Sequence, residues 1–416
     1  MSTWTNRCKY IFGATIPLLV ALGSCASAQE RAGISKLPAE QANLRSKPSL
    51  EVVVGAERLE QYLPLLKSKR VAVLVNQTSR VGDNLLPDVL LENGINLVRI
   101  FAPEHGFRGT ADAGAHVKNG KDERTGLPII SLYGNNKKPE AAQLKDIDVV
   151  LYDLQDVGAR FYTYISSLEY MMEACAEQGK ELIILDRPNP LGNIVDGPVL
   201  EMPHKSFVGM QAIPIIYGMT AGEYAQMLIG EGWLKTPGLQ LKVIPCDNYN
   251  HHTLYALPEA PSPNLKNMAA VYLYPSLCLF EGTVISLGRG TDKPFQQYGH
   301  PSLKGYQYSF TPRSVPGATN PPLKDKLCYG ELIASDANTA YRLADGKLQI
   351  KWLIKAYQNF PDKDKFFNSF FVKLAGTSRL QEQIKNGWTE EAIRASWQPG
   401  LEKFKQIRAK YLLYEE

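Results

Sequence analysis

From residue 70 onward the chain alternates between two hydrophobic rhythms. Short, nearly continuous apolar runs at 70–75 (RVAVLV), 97–101 (LVRIF), 148–152 (DVVLY), 181–185 (ELIIL) and 241–244 (LKVI) read as strands. Between them, 84–92, 166–177 and 221–229 read as helices. In 166–177, Leu168, Met171, Met172 and Cys175 recur at helical spacing. A strand without polar alternation is covered on both faces, as in a parallel sheet between two helix layers. The pattern therefore predicts an α/β domain over 49–262. Near 262 the rhythm breaks at "APSPNLKN", a linker or site loop. Mixed short strands follow, then a Pro/Gly-rich stretch at 311–325, then helices at 348–360 and 390–414, the last interrupted near Pro399-Gly400. This predicts a second, smaller α+β domain over 263–416. No internal repeat is visible.

Composition narrows the classes. The chain has 416 residues, 44% hydrophobic and 21% charged, which is enough for two domains with sizeable cores. A net charge of +4 with no run of like charges argues against nucleic acid as a partner, because phosphate binding needs a concentrated basic surface.

The N-terminus reads as an export signal. Arg7 and Lys9 precede an apolar stretch at 11–22 and then the small residues Gly23-Ser24-Cys25-Ala26-Ser27-Ala28. The apolar stretch is too short to span a bilayer. Two processing sites compete. "Leu22-Gly23-Ser24-Cys25" resembles a lipobox, which would place a lipid anchor on Cys25, and "Ala26-Ser27-Ala28" resembles an ordinary signal-peptidase site. Residues 1–28 are thus expected to be a signal peptide, 29–48 a polar linker, and the mature protein periplasmic or lipid-anchored in the cell envelope. Of the remaining cysteines, Cys175 and Cys278 read as buried thiols, and the irregular spacings make disulfides unexpected. No CxxC or HExxH pattern suggests a metal site, and no cofactor is expected.

Ligands of open α/β sheets bind outside the carboxyl ends of the strands. Asn76 follows the strand at 70–75. Glu104, His105 and Arg108 follow 97–101. Asp153, Asp156, Arg160 and Tyr162 follow 148–152, and Asp186 and Arg187 follow 181–185. In "YDLQDVGARFYTY" the aromatics beside carboxylates suit a sugar ring, whose apolar face stacks while its hydroxyls need hydrogen bonds. Helix capping is the plainer alternative for Asp153 and Asp156, and structural pairing for Asp186 in its rigid Arg-Pro-Asn-Pro turn. "GRGTDKPF" (288–295) places Arg289 and Thr291 in a glycine-rich turn able to hold an anion, or simply a tight surface turn. No GxGxxG follows the first strand and no GxxxxGK[ST] occurs, so dinucleotide and P-loop readings lose their support. His251 and His252 read as surface residues. His116 and His300 lie in loops and stay open.

Taken together, "APEHGFRG" (102–109), "YDLQDVGARFYTY" (152–164), "LDRPNPLG" (185–192), "SPNL" (262–265), "FEGTVISLGRGTDKPF" (280–295) and "YLLY" (411–414) resemble the bacterial exo-β-N-acetylmuramidase family, the NamZ-type peptidoglycan hexosaminidases. The match runs in consistent order from about residue 50 to the C-terminus. It implies a Rossmann-like domain and a smaller C-terminal domain with a cleft between them. It also implies an exo-acting glycosidase that releases N-acetylmuramic acid from the non-reducing end of peptidoglycan fragments, with saccharides or muropeptides as its partners. Gly299-His300-Pro301 departs from the Gly-Ala-Pro more usual in the family, which places a change at the expected cleft edge.

Glycoside hydrolysis usually needs an acid and a second carboxylate across the scissile bond. Glu104 of "PEHG" is the expected acid, and a structural ion pair to Arg108 is its alternative. Asp153, Asp156 and Glu281 are candidates for the second group, alongside the sugar's own acetamido. Arg160 or Arg289 is expected to meet the lactyl carboxylate of muramic acid. A sugar-binding lipoprotein without turnover would use the same cleft, and turnover separates the two readings. An esterase lacks its GxSxG elbow here.

Overall fold

The computed structural model describes residues 51–108, 119–303 and 305–416. The export signal, the linker, His116 and Gly109 lie outside them. The strands are β1 (Val71–Val75), β2 (Arg80–Val81), β3 (Asn84–Leu85), β4 (Leu97–Ala102), β5 (Gly120–Lys121), β6 (Pro128–Ser131), β7 (Val149–Asp153), β8 (Glu181–Leu185), β9 (Leu241–Ile244), β10 (Gln297–His300), β11 (Tyr308–Phe310) and β12 (Cys328–Leu332). The helices are α1 (Leu59–Leu66), α2 (Leu86–Glu92), α3 (Ala141–Leu144), α4 (Tyr164–Glu177), α5 (Ala221–Gly230), α6 (Met268–Leu277), α7 (Ala337–Ala344), α8 (Lys351–Asn359), α9 (Phe371–Ala375), α10 (Arg379–Lys385), α11 (Glu390–Ala395) and α12 (Gln398–Arg408).

Seven strands form one sheet in the order β5-β6-β4-β1-β7-β8-β9, parallel except for β5 at the edge. The apolar runs read continuously because both faces are covered. Ala72 and Leu74 of β1 enter one core with α4 and α5, while Val71, Val73 and Val75 enter another with α1 and α2. The chain is therefore α/β, as the pattern predicts. The smaller C-terminal part carries the antiparallel sheet β10-β12-β11 and helices α7–α12. It does not build an isolated core. Leu273, Phe280, Trp352, Phe371 and Phe404 continue the hydrophobic cluster that covers the α4–α5 face.

Element boundaries shift where tertiary bonds compete with the helix. The expected helix at 84–92 starts at Leu86, because Asn84 and Leu85 pair with Arg80 and Val81 across a turn that uses Gly82 at φ 54°. The helix expected from 348 starts at Lys351. The Leu348 N–H donates to Asp196 (2.7 Å) and the Gln349 N–H to Ser276 (2.9 Å), so both are held outside the helix. The helix expected at 390–414 breaks before Pro399, which sits in the first turn of α12, and the chain leaves helical geometry after Arg408.

The strand order reverses at β1. From there the chain moves first to β4 and β6, then back to β7, β8 and β9 on the other side. Loops after strands that flank such a reversal diverge and leave a crevice at the carboxyl edge. That crevice is where the site lies.

Candidate active site

β4 ends at Ala102, and the chain turns sharply through Pro103-Glu104-His105-Gly106. The Gly106 N–H donates to the Pro103 carbonyl (3.0 Å). His105 has φ 71° and Gly106 φ 78°. A left-handed conformation is natural for glycine but costs a histidine about 1–2 kcal/mol. The buried His105 is held there by its surroundings, and local strain of this kind gathers at functional sites. The turn aims the half-buried Glu104 into a cavity of ≈ 670 Å³.

Two hydroxyls hold that carboxylate. Thr163, in the loop between β7 and α4, donates to Glu104 Oε2 at 2.8 Å. Tyr133, just beyond β6, hydrogen-bonds the same carboxylate. Burial and then the negative charge of Glu104 raise the phenol's pKa, so it remains a proton donor. Segments that follow three strands on both sides of β1, namely β4, β6 and β7, thus converge on one acid.

The opposite chemistry comes from the C-terminal part. Arg289 Nε and Nη2 both donate to Glu281 Oε1, at 2.9 and 2.6 Å, and the guanidinium lies 4.9 Å from the centre of the Phe295 ring. Burial works against the Arg289 charge, but the bonded Glu281 outweighs it and its pKa sits above the ordinary value. Glu104, Glu281 and Arg289 all line the cavity, with Tyr162, Tyr274 and Phe280 among its aromatic walls. The lining therefore joins two carboxylates and a cation to aromatic surface, a combination suited to a charged sugar.

The remaining expected site residues go elsewhere. Tyr162 lines the cavity, but its hydroxyl donates away from it, to the Pro261 carbonyl (2.8 Å). Asn76 is buried one layer behind. Its Oδ1 accepts from the Thr78 N–H (2.9 Å) and its Nδ2 donates to Tyr164 (2.7 Å), which in turn donates to Pro261 O, so Asn76 braces the site loop without reaching the cavity. Arg108 pairs with Asp122 at 2.6 Å and lies about half exposed, outside the lining. Thr291 shapes its own turn by donating to Gly288 O (2.7 Å) and accepting from Gln297 (2.7 Å).

Three corrections concern charge. Asp153 is fully buried and receives both Nε (2.5 Å) and Nη2 (3.0 Å) of Arg187; it braces the carboxyl edge and does not line the cavity. Asp156 is also buried. Its Oδ2 accepts from the Gly158 N–H (2.7 Å) and from the Tyr217 hydroxyl, and burial pushes its pKa up to about 6. Arg160 is fully buried and donates to the carbonyls of Pro198 (3.0 Å), Ile213 (2.8 Å) and Leu374 (2.8 Å). Burial pushes the pKa of its guanidinium down to about 9, which still leaves it charged near neutrality. A cation already spent on three backbone acceptors is no clamp for a lactyl group, and that expectation passes to Arg289.

Asp186 is structural, accepting from Thr220 (2.6 Å), the Gly222 N–H (2.9 Å) and Tyr414 (2.7 Å). His251 is not at the surface. It is buried with Nε2 3.0 Å from Glu223, whereas its neighbour His252 is exposed. His300 packs edge-on against Phe360 (4.9 Å) and does not line the cavity. Cys175, Cys246, Cys278 and Cys328 are buried free thiols. Sequence reasoning missed Tyr133 and Thr163. Tyr133 follows the short run Pro128-Ile129-Ile130-Ser131, so the same strand-end rule would have found it. Thr163 carried no signal of its own.

Comparison with known proteins is consistent along the chain. Residues 71–269 match the family described as exo-β-N-acetylmuramidase NamZ, N-terminal, and residues 272–414 match its C-terminal counterpart. The peptidoglycan β-N-acetylmuramidase NamZ of Bacillus subtilis is 37% identical over 401 residues, covering 91% of this chain and 95% of that protein. Two crystal structures of DUF1343 family proteins from Bacteroides fragilis share the fold. One has a TM-score of 0.81 at 49% identity, covering 88% of this chain and 99% of that one. The other has 0.74 at 30% identity, covering 88% and 100%.

Proposed function

Since the chain belongs to the exo-β-N-acetylmuramidase NamZ family, we propose that its cavity hydrolyses the bond joining a terminal N-acetylmuramic acid to the next sugar of peptidoglycan fragments. The observation that supports this best is the pairing of Glu104, held by Thr163 and Tyr133, with the Arg289–Glu281 pair in one aromatic-walled cavity.

Glu104 gives its proton to the glycosidic oxygen as the bond to C1 breaks. Water then adds its oxygen to C1, and its proton restores the acid. Thr163 and Tyr133 fix the carboxyl, so the proton is delivered without a search among rotamers. Glu281 is the second carboxylate of the lining. Its Oε1 is engaged by Arg289, which leaves Oε2 to act at C1 or on the attacking water. Arg289 has a guanidinium edge to share with the lactyl carboxylate, the group that distinguishes muramic acid from other N-acetylhexosamines.

Incubation with a chromogenic β-N-acetylmuraminide should release the chromophore with turnover. Saturable binding of the sugar without release would instead describe a binding protein and overturn the reading. Export belongs to the same proposal. Cys25 or the residue after Ala28 becomes the mature N-terminus, placing the enzyme in the envelope with its substrate. Mass spectrometry of the protein from its host should find one of those N-termini, and an intact chain beginning at Met1 would count against export.

A further inference from the structure

Residues 311–325 contain no helix and no strand, yet they are tied down throughout. The Arg313 N–H donates to Gly290 O (2.8 Å), and Val315 and Ala318 exchange backbone bonds at 3.2 and 2.9 Å. Asn264 donates to Gly317 O (2.8 Å), the Asp325 N–H donates to Pro312 O (2.8 Å), and Arg313 pairs with Asp325 (2.8 Å). Two contacts leave no room for a side chain. A Cβ on Gly317 would stand 2.4 Å from Pro263 Cβ, and one on Gly290 would stand 2.5 Å from Pro321 Cγ. The stretch is thus keyed into both "SPNL" and "GRGT". Irregular backbone braced in this way presents its side chains in a fixed geometry.

What it presents is part of the cavity wall, including Ala318, Asn320 and Pro322. Asn320 is exposed, and its amide has no hydrogen-bond partner among the described residues. Another residue at the partly exposed wall is Phe207. It is already stacked on Tyr170 (6.0 Å, 12° between planes) and has the Lys137 ammonium 5.0 Å from its ring centre. Of the described residues that line the cavity, Asn320 and Pro322 are the exposed ones, so polar recognition at the rim falls to Asn320.

We infer that Asn320 is a specificity residue for the leaving sugar: its amide bonds the hydroxyl or acetamido groups of the second pyranose, the ring released on hydrolysis. This rests on the hydrolytic reading above. An exo-acting enzyme seats one sugar inside and keeps the scissile bond near the mouth, so the exposed rim meets the next ring.

The test compares Asn320→Ala with wild type on two substrates. One is a β-N-acetylmuraminyl disaccharide, and the other is an aryl β-N-acetylmuraminide with a phenolic leaving group in place of the second sugar. The ratio of kcat/KM for disaccharide over aryl glycoside should fall about three- to tenfold, the loss expected from one hydrogen bond. The change should reside in KM for the disaccharide. An unchanged ratio, whether both activities fall together or neither falls, overturns the inference while leaving the hydrolytic reading standing. A wild-type protein that cleaves neither substrate overturns both, so the two failures are told apart. Asn320 is exposed and unbonded, so the variant is expected to fold, and its unfolding midpoint should match wild type.

Discussion

The proposed mechanism assigns the acid to Glu104, and its substitution is the sharpest test of the site. Glu104→Gln keeps the side chain's shape and its bond from Thr163 but removes the transferable proton. General acid–base catalysis contributes about 10²–10⁴-fold, so kcat on a natural disaccharide should fall by that range. A leaving group that needs no protonation should restore part of the rate. Near wild-type kcat in a folded variant would place the acid elsewhere, and Glu281, the other carboxylate in the lining, would be tested next. Arg289 carries a second expectation. A hydrogen bond to a charged group contributes about 1.5–3 kcal/mol. Arg289→Ala should therefore lower kcat/KM for the muraminide about 10- to 100-fold, with a much smaller effect on the matching β-N-acetylglucosaminide. Equal losses on the two sugars would show that Arg289 does not read the lactyl group.

The elements meet through Arg160, which was expected to bind ligand and is instead a staple. It leaves the loop after β7 and bonds carbonyls at Pro198, Ile213 and, in α9, Leu374, which itself lines the cavity. Arg160→Met would fill much of the volume but leave the Pro198 and Leu374 carbonyls without donors, each costing about 1–3 kcal/mol, while Ile213 O keeps its bond from the Leu200 N–H (3.1 Å). Chemical unfolding should show a loss of at least about 2 kcal/mol, together with lower activity because α9 loosens at the cavity wall. Gly376 offers an independent check on the same joint. It has φ 77°, and a Cβ there would stand 2.5 Å from Arg160 Nη2. Gly376→Ala should lower stability by about 1–3 kcal/mol through backbone strain and displacement of the guanidinium. An unfolding midpoint equal to wild type for both variants would remove Arg160 from this role.

The fold as a whole contains carboxyls that prefer to be neutral. Burial pushes Asp156 and Asp186 up to about 6, against hydrogen bonds that pull the other way. In the unfolded chain an aspartate titrates at about 3.9. Between these values the native state binds more protons than the unfolded state, so these two groups make stability fall as pH rises from about 4 to about 6 and add no further slope above it. Denaturant titrations across pH 4–7 should reveal this contribution, and Asp156→Asn, which removes the titration at one site, should flatten it. A slope identical to wild type in that variant would show that Asp156 does not titrate in this window. Asp186 is tied to the far end of the chain through Tyr414, whose hydroxyl also accepts from the Cys246 N–H (2.9 Å). Tyr414 of the terminal "YLLY" therefore docks beside the carboxyl ends of β8 and β9, and none of the four residues lines the cavity.

Local pattern was enough to specify the parallel sheet, because a strand buried on both faces must be apolar at every position and a helix on one face only at every third or fourth. It also drew the polar candidates to the carboxyl edge, where the cavity opens, and the sharp turn that carries Glu104 is written in Pro103 and Gly106. Pattern did not separate the carboxylates that follow the strands, since Glu104, Asp153 and Asp156 look alike in one dimension. Their roles depend on partners far along the chain: Arg187 lies 34 residues beyond Asp153, and Tyr217 lies 61 beyond Asp156. Burying a charge costs more than any local preference supplies, so each buried carboxylate is settled by the donor that packing brings to it. The cavity obeys the same logic. Its rim at 311–325 has no period to read, and its position follows from where Pro263 and Gly290 leave room for it.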